Sequence, residues 1–175
     1  MSKNKPRTRQ TRIAILAVSV LLFLPLVSVY AAAPLTKKER EQAAKDRDET
    51  VSKLDKMYLK YLSGTLMEAR TNMTNAISFI HENSARIPEL EGALPICYAR
   101  ISFLERKAGR EATSKIYFEK ARYWQLIEHE KLRLKPEEIA AKLDEFTRDV
   151  SDKVALEWDK KYTKGMGPAY LKEVQ

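Results

Sequence analysis

From Val51 onward, apolar residues recur mostly at three- and four-residue steps, a spacing that lines one face of an α-helix but scatters over both faces of a strand. Val51, Leu54, Tyr58 and Tyr61 make one such face, and Leu66, Ala69, Met73, Ala76, Ile77 and Ile80 make a second. A third runs through Tyr98, Ile101 and Leu104; a fourth helix shows Ala112, Ile116, Ala121, Tyr123, Trp124 and Ile127 without a single such face. A fifth passes from Ile139 through Leu143, Phe146, Val150 and Val154 to Trp158. No run shows sustained strand alternation, so the spacing predicts an all-α domain. The 175 residues include only 5 Gly and 7 Pro, which leaves few breakers to interrupt helices.

The boundaries follow from capping chemistry. Thr36 and Glu39 form a capping-box pattern that starts a helix running to about residue 62, charged over 34–50 and apolar on one face after that. Ser63-Gly64 ends it, with Gly64 expected in the left-handed cap conformation. A second helix covers about 66–83, and 84–92, with Pro88, is a connector. The third opens near Leu94-Pro95 and stops at Gly109; the fourth covers about 111–133. Pro136-Glu137-Glu138 opens a fifth, whose spacing runs unbroken past Trp158, and 163–175 reads as a tail. The expected organisation is therefore a signal or anchor at 1–33, a charged lead-in at 34–50, a helical domain at 51–162 and a tail at 163–175.

Ahead of the helices stands a run of 21 uncharged residues, 13–33, preceded by Lys3, Lys5, Arg7, Arg9 and Arg12 and by no acid. A basic end, an apolar run and the small residues Ala31, Ala32 and Ala33 are the pattern of an export signal cut after Ala31 or Ala33. Left uncut, the run is near the roughly 20 residues that span a bilayer. In both cases the basic end stays cytoplasmic and the domain lies outside. The expectation is a periplasmic or secreted protein, or one anchored in the inner membrane with its domain outside the cytoplasm. The apparent basicity of the chain is largely this segment's. Of 32 Lys and Arg, five precede the apolar run, and the remaining 27 face 24 Asp and Glu. Nucleic-acid binding needs a clustered positive excess, so it is not expected. A lone cysteine, Cys97, cannot form an internal disulfide and sits where a buried small hydrophobe fits.

Catalytic and cofactor patterns are missing. His81 and His129 are the only histidines, and Glu128-His129-Glu130 occupies consecutive helix positions that point apart, so it is expected on a solvated surface and not around a metal. Nucleophile elbows and Cys-x-x-Cys pairs are absent from the sequence. Glu68 and Glu105 are the nearest candidates for the single acid of a cell-wall enzyme. No cofactor is expected.

The two helix pairs share a skeleton. Gly64, Ala69, Met73, Ala76 and Phe79 stand 45 residues before Gly109, Ser114, Phe118, Ala121 and Trp124. Glycine makes the turn, small residues admit the second helix, and a large apolar residue locks the pair. With Tyr98 and Ile101 at the large positions of the first helix, this pattern resembles the tetratricopeptide repeat. It departs from it in the 45-residue interval, against 34 for the family, and in Lys53, Lys56 and Lys60, which stand where the family has apolar or small residues. The resemblance implies antiparallel helix pairs stacked as a short repeat-like array, whose first helices line a surface for a partner protein. On this chain that surface would comprise Tyr58, Tyr61, Phe103, Arg106 and Lys107. The implied function is a non-enzymatic interaction module or scaffold of the cell envelope, with membrane contact only through the N-terminal segment. A helical bundle holding a hydrophobic ligand is the alternative, and a cell-wall enzyme the second.

Overall fold

A computed structural model describes residues 36–173 of the chain. The basic end, the apolar run and the alanine cluster lie outside the described residues, and so does the expected signal or anchor helix. Among the described residues there are six α-helices, two short 3-10 turns and no strand. Helices α1 (Lys37–Ser63) and α2 (Leu66–Ser84) are followed by a 3-10 turn at Pro88–Ala93. Then come α3 (Leu94–Lys107), α4 (Glu111–Lys131), α5 (Pro136–Glu145) and α6 (Arg148–Tyr162), and a final 3-10 turn at Ala169–Glu173. None of these helices is long and apolar enough to cross a membrane.

Helix α1 begins with the expected capping box, Thr36 Oγ1 accepting from the Glu39 N–H and Glu39 Oε2 accepting from the Thr36 N–H at 2.7 Å. Its first half is held by local pairs such as Gln42–Asp46 at 2.8 Å, and packing starts at the buried Thr50. A second capping box, Thr65 with Glu68, opens α2. Gly64 between them is not left-handed as expected; it is extended, at φ −85° and ψ 167°. Its requirement is steric, because a Cβ there would lie 2.8 Å from Glu68 Cβ and 3.0 Å from the Lys60 carbonyl oxygen. Gly109 does take the left-handed conformation, at φ 74°. The Arg110 N–H bonds back to the Glu105 carbonyl and the Gly109 N–H to that of Arg106, which closes the α3 C-terminus in a Schellman motif.

Helix α3 is the centre of the molecule. From Leu94 to Glu105 every residue except Ile96 is buried, because α2, α4, α6 and the first 3-10 turn all pack against it. A helix covered on all sides normally reads as apolar all round. This one carries Arg100 and Glu105 inside, and both need buried partners.

The C-terminal third departs from the sequence reading twice. The expected single helix over 136–162 is broken at Phe146, whose ψ of 73° leaves the helical range. The Phe146 ring turns inward to stack on Phe118, centroids 5.6 Å apart, and Thr147 restarts the chain by capping α6 through the Val150 N–H. The expected tail also packs. Pro168 and Tyr170 are fully buried, and Tyr170 belongs to the main hydrophobic core.

Candidate functional site

Tyr58 and Tyr61 project from α1, Arg100 from α3, Asp159 from α6 and Tyr170 from the final turn, and all five meet at one point. Asp159, with no exposed surface, accepts from Tyr58 at 2.7 Å and Arg100 Nη2 at 2.9 Å through Oδ1. Through Oδ2 it accepts from Tyr61 at 2.6 Å and Tyr170 at 2.9 Å. The Arg100 guanidinium lies over the Tyr58 ring, 4.6 Å from its centroid, and also donates to the Tyr58 hydroxyl. A buried carboxylate is tolerated only when its lone pairs are filled, and here one cation and three phenols fill them. Burial and the adjacent Asp159 charge push the Tyr61 and Tyr170 phenols well above their ordinary range, and burial does the same to Tyr58. These tyrosines are hydrogen-bond donors held in the neutral form. The knot ties four segments of the chain to one another.

Glu105, also without exposed surface, is gripped by Arg70 of α2 and Arg110 of the α3–α4 turn. Burial opposes its ionisation, but hydrogen bonds from Arg110 and Arg70 prevail and hold it below the usual carboxylate range. Glu68 is spent on its capping box, where the Thr65 backbone N–H lowers it. Both acids considered for catalysis are therefore committed to holding the fold.

Next to the knot, a groove of about 760 Å³ runs between the C-terminal end of α3 and α6. Phe103 and Leu156 are the apolar residues of its lining; Arg106, Lys107, Lys153, Glu157 and Lys160 are among its charged walls. Arg106 is occupied by Asp152 and, at 3.5 Å, by Asp149. Lys107 lies over the Phe103 ring, 5.5 Å from its centroid.

The five residues expected to line a partner surface thus divide. Tyr61 and Phe103 are buried, at 0% and 4% exposure, because α6 and the final turn of the same chain cover the side of α1 and α3 that was expected to be open. Tyr58 is half-buried in the knot. Arg106 and Lys107 do stand at an accessible groove. Asp159 and Tyr170 were missed altogether. The charge of Arg100 inside an apolar helical stretch was the one signal in the sequence that a buried anion had to exist.

No family model, curated protein or solved structure matches this chain.

Three other assignments bear on the site. His129, expected at a solvated surface, is buried at 6% exposure, with Gln125 Nε2 donating to its Nε2 at 2.9 Å. Burial, helped by the nearby Lys142 charge, lowers its basicity. Cys97 is buried, and burial pushes its thiol up to about 11, which makes it a poor nucleophile. Among the described residues no group of three His, Cys, Asp or Glu side chains is placed to hold a metal.

Proposed function

We propose that this chain is an exported, non-enzymatic protein-interaction module of the cell envelope, built of helix pairs in a short repeat-like array. The observation that carries the reading is the groove between α3 and α6. Its apolar floor of Phe103 and Leu156 sits under a rim in which Lys107, Lys153 and Lys160 have no ion-pair partner among the described residues. A narrow apolar floor with charged walls suits a peptide segment better than a hydrophobic small molecule, which needs an enclosed, mostly apolar pocket.

The repeat-like reading is supported by burial at the shared skeleton. Ala69 and Ser114 are both at 0% exposure, Met73 and Phe118 at 1% and 8%, and Ala76 and Ala121 at 3% and 0%. The non-enzymatic reading is supported by the engagement of Glu68 and Glu105 in structural contacts. Export rests on the sequence pattern of the first 33 residues.

The test is affinity capture from an envelope fraction with the wild-type chain and with Lys107→Glu plus Lys153→Glu, two exposed positions on the groove rim, the variant's fold being checked by circular dichroism. The reading expects a specific protein held by the wild type and depleted several-fold by the double variant. Equal recovery by both, or no specific partner, would refute it.

A further inference from the structure

The last described segment behaves as a strap. After α6 the chain passes through Lys164, Gly165 and Gly167, all at positive φ (52°, 86° and 73°), and then lays Pro168 and Tyr170 into the core. Met166 in the middle of this hinge is 80% exposed. Tyr170 packs on the Tyr61 ring at 5.1 Å and the Phe103 ring at 6.4 Å, and its hydroxyl reaches Asp159 and Tyr61. Phe103 is shared, being both under the strap and on the lining of the α3–α6 groove, so groove and strap site adjoin.

We propose that the site beneath the strap extends the groove's interaction surface, occupied in the resting chain by its own Tyr170 and opened to a partner segment that presents a tyrosine in the same way. This rests on the interaction-module reading above and specifies its partner.

Three observations carry it. Among the described residues, the strap's side-chain hydrogen bonds to the helices all run through the Tyr170 phenol, whereas α1, α3 and α6 are tied by the rest of the knot. Lifting the strap leaves no orphaned charge, because Asp159 keeps Tyr58, Tyr61 and Arg100. Lys164 is left-handed as the cap of α6, its N–H bonding the Lys161 carbonyl and the Gly165 N–H that of Lys160, so the chain beyond it can lift without unwinding α6. What opening uncovers is an aromatic floor, Tyr61 and Phe103, with a carboxylate placed for a phenol. That is the chemistry the strap itself displays, and an incoming tyrosine can reproduce it.

The experiment uses the full chain and a synthetic nonapeptide of residues 167–175, blocked at its N-terminus. Titrated calorimetrically into full-length Tyr170→Ala, the peptide should bind saturably and at least tenfold more tightly than to wild type, whose own strap competes. The same peptide carrying Tyr170→Phe should bind roughly tenfold more weakly, having lost hydrogen bonds to a charged acceptor. No binding to a folded Tyr170→Ala chain, equal binding to both proteins, or a dimer that exchanges straps between two copies and excludes the peptide would overturn the proposal. If the variant does not fold, hydrogen exchange on the wild type decides. The amides of 165–171 should exchange at least a hundredfold faster than those of α3 in a local opening, and exchange only with global unfolding would overturn it. Either failure leaves the envelope-capture result standing on its own.

Discussion

Asp159→Asn keeps the shape of the side chain at the centre of the knot and removes its charge. Arg100, at 7% exposure, then loses its anion, since among the described residues Asp159 is the one carboxylate paired with it. Breaking a buried ion pair by deleting one member costs about 3–5 kcal/mol, a large share of the roughly 5–15 kcal/mol that holds a domain of ordinary stability. The converse change, Arg100→Met, should cost less. The carboxylate would keep three phenol donors at 2.6–2.9 Å, each hydrogen bond to a charged group being about 1.5–3 kcal/mol. The expected loss is then about 2 kcal/mol, since neutral donors solvate a buried anion in part. Urea unfolding followed by helical circular dichroism measures both. A loss from Arg100→Met that equals or exceeds that from Asp159→Asn would refute the claim that the tyrosines solvate the carboxylate. A loss under about 1 kcal/mol from Asp159→Asn would refute burial of the pair.

The other expectations concern local chemistry. Gly109→Ala should cost about 1–2 kcal/mol through its left-handed backbone alone, since nothing lies within 4 Å of the new methyl; Gly64→Ala should cost a similar amount by collision with Glu68, and Glu68→Gly should relieve only the latter variant in a thermal-melt comparison. Arg133, at φ 54° after α4, should gain up to about 1 kcal/mol as Arg133→Gly, read as a higher urea midpoint. The neutral forms of Tyr58, Tyr61 and Tyr170 are favoured in the fold, so their contribution is complete below the ordinary value of 10.0 and is lost as pH rises above it. Stability should fall above that pH by up to about 1.4 kcal/mol per pH unit for each tyrosine, and a flat alkaline profile would contradict their burial. For His129 the neutral form is favoured, so stability should be complete above its ordinary value of 6.5 and decline as pH falls below it; His129→Gln should abolish that component of an acid titration.

Periodicity made the helices legible because burial of one face repeats with the helical turn, and Thr36-Glu39, Pro95, Gly109 and Pro136 marked their ends by local chemistry. Two features escaped that logic. The α5–α6 break lies at Phe146-Thr147, where no glycine or proline stands and the apolar spacing continues across the junction; only Thr147, a good cap three residues before the Val150 N–H it binds, hinted at a restart. Tyr170 sits in a Gly- and Pro-containing stretch that reads as loop, and its burial is decided by Tyr61 and Asp159, which are remote in sequence. Around the candidate groove the same limit applies. Arg106 and Lys107 came from the repeat resemblance and line the α3–α6 groove, but the covering of Tyr61 and Phe103 depends on a segment more than sixty residues beyond Phe103, from which no local pattern could be read.

Site-specific photo-crosslinking in living cells probes the interaction reading most directly. A photoreactive residue at position 107, on the groove rim, is compared with one at position 116, an isoleucine 59% exposed on α4 and absent from the groove lining. The account predicts a discrete protein adduct from 107 in the envelope fraction and none from 116. Adducts of the same pattern from both positions, or from neither, would contradict it.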